Sequence, residues 1–229
     1  MTLTVSRYVS HDTWNSYQSM LRILKNYRLP LRRVPKGAPV AAVEMSFSGY
    51  PGVIYSGDDF TVTSAGLTVL ETTIGNNNKA LWGQVKPRGS VLEGIRATVA
   101  NRLATDGKSW TGVFSRFNSG TYNNQWMVVD NKLFRPHQQQ LSPGLFWVLE
   151  QIPGYVRRKD LTSVLQTRTF WPSYNSPYFT GESLLSNNPS TDPVIQTFST
   201  RVETPSLSRS TETGFHTIKL QELLYSPGM

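Results

Sequence analysis

The chain has 229 residues, 38% of them hydrophobic and 17% charged, with a net charge of +8 and an isoelectric point near 9.8. That length can bury a full core, and the lack of cysteine excludes disulfides, cysteine zinc sites and a thiol nucleophile within these residues. The three histidines lack metal-ligand spacing, no apolar run approaches a membrane span, and the first residues lack a signal peptide's basic start and apolar centre, so the literal chain reads as cytosolic.

Residues 1–10 alternate and are β-branched, which predicts a strand ending before His11. Asp12 or Thr13 then caps an expected helix whose apolar positions are Trp14, Tyr17, Met20, Leu21, Leu24 and Tyr27. A basic loop punctuated by proline runs from Pro30 to Pro39. Strands are predicted at Val43 to Phe47, Gly52 to Tyr55, Phe60 to Thr63 and Leu67 to Ile74, and their short connections favour an antiparallel meander. Ser90 to Glu93 spells a capping box, followed by a helix with Leu92, Ile95, Val99 and Leu103 on one apolar face. A second helix spans Ser109 to Phe117 and buries Trp110, Val113 and Phe114. Strands follow at Trp126 to Val129 and Leu145 to Glu150, so the order of elements indicates an α+β layered domain rather than a doubly wound one. Residues 180–229 are rich in Ser and Thr and are expected to form a poorly ordered tail, ending in one short helix near Phe215 to Tyr225.

Phe117 to Trp126 concentrates amides and hydroxyls between two apolar elements, so the loop is either an internal hydrogen-bond hub or a ligand-facing surface. His11 stands where a strand meets a helix start, a place for an anion, a cap or a positioned imidazole. Asp58 and Asp59 after Ser56-Gly57 are hairpin chemistry or site carboxylates. Thr72 and Thr73 end a strand and either stiffen it or offer hydroxyls. Glu150, set among apolar residues, is either paired with an arginine or functional. The cations are scattered, from Arg22 to Lys36, at Lys86 and Arg88, and at Arg157 to Lys159, with no nucleic-acid motif beside them. A solvated surface is the plain reading and an anionic membrane surface or substrate the next; no nucleic-acid partner and no cofactor are expected.

Longer motifs then add up: His11-Asp12-Thr13-Trp14-Asn15-Ser16-Tyr17, Ser48-Gly49-Tyr50-Pro51-Gly52, Asp58-Asp59-Phe60, Leu70-Glu71-Thr72-Thr73, Val99-Ala100-Asn101-Arg102-Leu103-Ala104, Phe117 to Trp126, Glu150-Gln151-Ile152-Pro153-Gly154 and Trp171-Pro172-Ser173-Tyr174-Asn175. In order and spacing, from about His11 to Phe179, they resemble the phospholipase B-like (lamina ancestor-like) family, nearest to its type 2 branch on Thr73-Ile74-Gly75-Asn76 and Lys86-Pro87-Arg88-Gly89. The resemblance implies an N-terminal-nucleophile hydrolase fold, an αββα sandwich of two antiparallel sheets, here truncated at both ends. It also implies a lysosomal or secreted setting and a lipid or acyl-amide substrate. In that chemistry a cysteine with its own α-amino base attacks an acyl carbonyl, and amide donors hold the oxyanion.

Carried over by motif, His11 and Trp14 line the pocket, Thr73 faces the nucleophile, and Asn123 or Asn124 donates to the oxyanion. Asp58 and Glu71, with Asn118 and Tyr122 of the polar loop, complete the expected substrate pocket. The family's nucleophilic cysteine precedes the position of His11, and this chain has none. Two readings therefore stand: an acyl-ester or amide hydrolase of this type, or a catalytically inactive relative that at most binds lipid. A missing strand would also leave an unpaired sheet edge, so self-association is expected.

Overall fold

The computed structural model describes residues 6–11, 13, 16–173, 175–186 and 218–219. Its frame is one seven-stranded antiparallel sheet whose strands neighbour one another in chain order: β1 (Ile23–Arg28), β2 (Glu44–Gly49), β3 (Phe60–Thr63), β4 (Leu67–Thr73), β5 (Asn124–Asp130), β6 (Phe146–Ile152) and β7 (Tyr155–Asp160). The connections after β3 and β6 are short, and a short connection can only bring the chain back antiparallel. Two helices, α1 (Glu93–Leu103) and α2 (Gly107–Phe114), interrupt the meander between β4 and β5. After β7 come α3 (Thr162–Arg168), the two-residue strand β8 (Pro172–Ser173), α4 (Thr180–Ser186) and β9 (Ile218–Lys219), which pairs with β8. The α+β reading and the meander thus hold, whereas the second sheet of a sandwich is not formed by the described residues.

Both faces of the central strands are covered. Leu67 and Val69 of β4 and Trp126 and Val128 of β5 meet α1 and α2, where Trp110, Phe114 and Trp126 form an aromatic trio with ring centroids 4.9–5.2 Å apart. Trp110 Nε1 donates to Asn101 Oδ1 at 2.7 Å, so the indole's one polar atom is satisfied inside the core. Leu70, Met127, Val129, Phe146 and Val148 point the other way and pack with Leu161, Trp171 and Phe179. Every residue of β5 is buried, as expected for a strand enclosed on both sides.

Several sequence expectations are overturned. The helix expected from Trp14 to Tyr27 is a 3₁₀ turn at Tyr17–Ser19 followed by β1; Trp14 itself lies outside the described residues. Apolar residues at helical spacing were outweighed by pairing, because all six residues of β1 find partners on β2, from Ile23↔Gly49 to Arg28↔Glu44. Of the expected strand at 1–10, residues 6–10 are irregular and 1–5 lie outside the described residues. Gly52 to Tyr55 is a bend, over which the buried Lys25 ammonium donates to the carbonyls of Tyr50 and Val53. Ser90 donates to Lys86 O instead of capping α1, and the capping box belongs to α2, between Asp106 and Ser109.

The apolar stripe of α1 is inverted: Leu92, Ile95 and Val99 are exposed while Arg96, Ala97, Ala100, Asn101 and Arg102 are buried. Small alanines let the helix approach the sheet, and the arginines satisfy backbone carbonyls: Arg102 Nη1 donates to Ala42 and Val43 O, and Arg96 reaches Val91 and Phe114 O. β7 and α3 were not anticipated, since β7 is an edge strand whose exposed, basic residues show no alternation. In the expected tail, α4 and β9 are ordered elements, and Ile218–Lys219 is strand where a helix was expected; 187–217 and 220–229 lie outside the described residues.

The close approach of α2 to the sheet sets a testable limit. A Cβ on Gly107 would lie 2.5 Å from Trp147 Cδ1, whereas one on Gly57 would meet nothing within 4 Å. Gly107→Ala should lower stability by about 1–3 kcal/mol in denaturant unfolding, and Gly57→Ala should stay within about 0.5 kcal/mol of the parent.

Candidate active site

The polar residues singled out by sequence gather at one end of the sheet, where β4 ends at Thr73 and β5 begins at Asn124, its register partner. Strand alternation then divides them between the two faces. On the helix-facing side, Glu71 lies opposite Trp126 in the register. Glu71 and Asn124 are fully buried, and neither atom of the Asn124 amide nor Trp126 Nε1 has a hydrogen-bond partner among the described groups, while the Glu71 carboxyl meets only Asp59 and Tyr122. Such uncommitted polarity is costly and therefore uncommon away from functional sites.

Asp59 and Tyr122 close in on Glu71. The Tyr122 hydroxyl donates to Asp59 Oδ1 and Oδ2 at 3.1 and 3.0 Å. Both residues have left-handed backbones, φ 66° and 52°, a conformation that costs a non-glycine residue energy and is held only by surrounding structure. Burial raises Asp59 to about 6, with Asp58 adding to the effect. Burial and the neighbouring Asp59 carboxylate hold Glu71 well above the ordinary carboxylate range. Glu93, the first residue of α1, is raised to about 7 by burial and by Asp59, and burial together with Glu71 and Asp59 raises the Tyr122 phenol. Glu71 is thus the carboxyl that holds its proton most firmly, while Asp59 and Glu93 titrate just below and near neutral pH.

Below it the polar loop is tied down from within. Asn118 donates to Ile152 O at 2.9 Å and accepts from Gly120 N at 2.9 Å. Asn123 donates to Gly120 O at 3.1 Å and accepts from Gln151 Nε2 at 3.2 Å. Gln151 in turn accepts from the buried Arg96, which burial brings down to about 10. The contacts of Asn118 and Asn123 are thus those of a hydrogen-bond hub, and of the two candidate oxyanion amides it is Asn124 that keeps uncommitted donors.

The opposite face carries a second network. Asp58 accepts from Arg22 Nε at 2.5 Å and from Ser48 Oγ at 2.5 Å, so one carboxylate joins the approach to β1, the end of β2 and the start of β3. Thr13 Oγ1 donates to Asp58 O at 2.8 Å. With its one proton so used, Thr13 accepts from His11 Nε2, also at 2.8 Å, which places a hydrogen on that ring nitrogen. These side chains line an open hollow of about 310 Å³, whose wall also includes Met20 and Phe60. Asp58 and His11 are therefore together as expected, while Glu71, Tyr122 and Asn124 lie across the sheet from them, and Thr73 shares the Glu71 side by alternation.

Glu150 joins the hollow's face without lining it. It is fully buried and accepts from Gln125 Nε2 at 2.6 Å, Tyr178 N at 2.5 Å and Phe179 N at 3.0 Å, which pins that segment to the sheet. Of the two sequence readings, the arginine one holds in part: Arg157, its register partner, attracts it electrostatically without a hydrogen bond between them, and Glu150 lines no cavity among the described residues. Sequence reasoning missed Glu93, Arg96, Arg22 and Ser48, and it named Asp59 beside Asp58 without assigning the two to different faces. The Asp58-Asp59 doublet at the start of a strand was a usable signal, because adjacent strand residues face opposite ways.

The profile of the phospholipase B family matches residues 4–204. The chain is 57% identical to phospholipase B-like 2 of Mus musculus over 173 residues, 75% of this chain and 29% of that protein. The corresponding Homo sapiens protein is 54% identical over 173 residues, with the same shares. Phospholipase B-like protein B of Dictyostelium discoideum is 48% identical over 172 residues, again 75% of this chain and 29% of the relative. The chain thus spans about three tenths of the length of the curated relatives it matches.

A pH dependence follows from the carboxyl group on the helix-facing side. With Asp59 near 6, Glu93 near 7 and Glu71 higher still, the folded chain retains protons that the unfolded chain releases near pH 4. The native state then binds more protons than the unfolded one, so stability is full at low pH and falls as pH rises through about 4 to 7. Urea midpoints measured across that window should decline with pH, and Glu71→Gln, which cannot ionise, should flatten the decline. A midpoint that climbs with pH over this range would refute the assignment.

Proposed function

The chain belongs to the phospholipase B family, and from that premise we propose that it forms part of an acyl hydrolase acting on ester or amide bonds of lipids. The observation that carries the reading is the hollow on the open face, where the His11, Thr13, Arg22, Ser48 and Asp58 network stands beside the apolar Met20 and Phe60. An acyl chain can lie against Met20 and Phe60 while the guanidinium of Arg22, held in place by Asp58, faces a phosphate or a developing oxyanion. His11 orders Thr13 and through it the Asp58 backbone. Asn124 faces the other side of the sheet and has no part in this mechanism.

The proposed attack requires a nucleophile. The 229 residues include no cysteine, so a thiolate of the kind the family resemblance implies, on a sandwich of the N-terminal-nucleophile type, would come from polypeptide outside them. A second reading is a lipid-binding protein without hydrolysis, for which the apolar Met20 and Phe60 beside Arg22 suffice. The proposed setting is lysosomal or secreted; an acidic compartment suits carboxyls whose protonated form is the stable one.

The test is acyl release by the protein purified from its native source, with peptide mapping for a cysteine-bearing segment. Phosphatidylcholine, an N-acyl lipid amide and a soluble short-chain ester serve as substrates. Arg22→Ala, and Met20→Trp as a variant that fills the hollow without touching the network, should each lower kcat/KM at least about tenfold. Unchanged release in both variants would remove the hollow from the reaction. No release from any substrate, with lysolipid binding lost in Arg22→Ala, would decide for the second reading.

A further inference from the structure

We propose that the β1 edge and the loop after it form a docking platform for an anionic lipid surface, next to the mouth of the hollow. The inference rests on the acyl-hydrolase reading and adds the partner from which a lipid reaches the site. Leu24 is 87% exposed, and Leu29, Leu31 and Val34 are all exposed in the same short stretch. Large aliphatic side chains gathered in this way mark an interaction surface more often than scattered single ones do.

The charge of the stretch identifies the partner. Arg28, Arg32, Arg33 and Lys36 are exposed there; Arg28 stands opposite Glu44 in the register, while Arg32, Arg33 and Lys36 take no part in the Arg22–Asp58 and Lys132–Asp130 ion pairs found among the described residues. Aliphatic residues interleaved with uncompensated cations fit the boundary between headgroups and acyl chains of an anionic bilayer. A second copy fits less well, since the same four positive charges would meet across a shared β1 edge.

The stretch is held as a defined shape. Val40 N donates to Leu31 O at 2.8 Å, Arg32 and Pro39 form a β-bridge, and the Arg32 guanidinium donates to Gly37 O, closing the loop on itself. Among the described residues β1 pairs with β2 alone, and none of them pairs with its other edge. Met20 and Arg22, immediately before β1, line the hollow, which puts platform and mouth side by side along the chain.

Co-sedimentation of the full chain with vesicles of phosphatidylcholine alone, or of phosphatidylcholine with phosphatidylserine, tests the proposal. Binding should be at least about tenfold tighter to the anionic vesicles and should weaken as salt is raised. The double variant Arg32→Glu/Arg33→Glu should lose about tenfold or more of that binding, as should Leu24→Ser/Leu31→Ser. Hydrolysis of the soluble short-chain ester should be unchanged in Arg32→Glu/Arg33→Glu, which separates failure of docking from failure of the hydrolase reading. Equal partition to both vesicle types would overturn the proposal. So would vesicle binding indifferent to both double variants, or a light-scattering dimer broken by Leu24→Ser/Leu31→Ser in a chain that ignores vesicles.

Discussion

The pairing of β4 with β5 is the constraint on which the rest depends. Seven consecutive pairs, from Leu67↔Asp130 to Thr73↔Asn124, fix the two central strands with both faces buried. A slip of one residue would turn Leu70, Met127 and Val129 toward the helices and send Glu71 and Trp126 to the other core. Nothing at a solvated face could absorb that exchange. The register therefore sorts the polar strand-end residues in the same act that sorts the two hydrophobic cores.

Arg96 and Asp58 do comparable work on the two faces by different means. Arg96 enters the protein beneath α1, lies over the Phe114 ring at 4.3 Å, and ties the α1 start, the end of α2 and Gln151 of β6 together. Its burial is tolerable because carbonyl and amide oxygens take its donors. Asp58 stays near the surface and holds three chain segments through Arg22, Ser48 and Thr13. Its neighbour Asp59, turned inward by strand alternation, shares protons with Glu71 instead. Two adjacent aspartates thus have opposite chemistry because of the face each one meets.

The exposed apolar residues also follow from this arrangement. α1 turns alanines and arginines to the sheet, so Leu92, Ile95 and Val99 are left outside. The open half of the other face begins at Leu24 and continues through the hollow, where polar and apolar groups alternate around Arg22. A surface of that kind is consistent with a chain that spans only part of its relatives' length.

By itself the sequence determined the broad class, the antiparallel meander, the strands β2 to β6 and the helix carrying Trp110 and Phe114, because alternation and turn residues are local signals. The family motifs were legible for the same reason: they are contiguous. The sequence could not decide that Ile23 to Arg28 is a strand, since its partner lies some twenty residues on and its own spacing suits a helix equally well. Nor could it tell which side of α1 is inside, because a buried arginine looks like a surface one until its acceptors are in place. Which face each strand-end carboxylate meets was likewise settled only by tertiary structure: alternation separates Asp58 from Asp59 and Glu71 from Thr72, but packing alone decides that one side is an open hollow and the other a closed, proton-holding core.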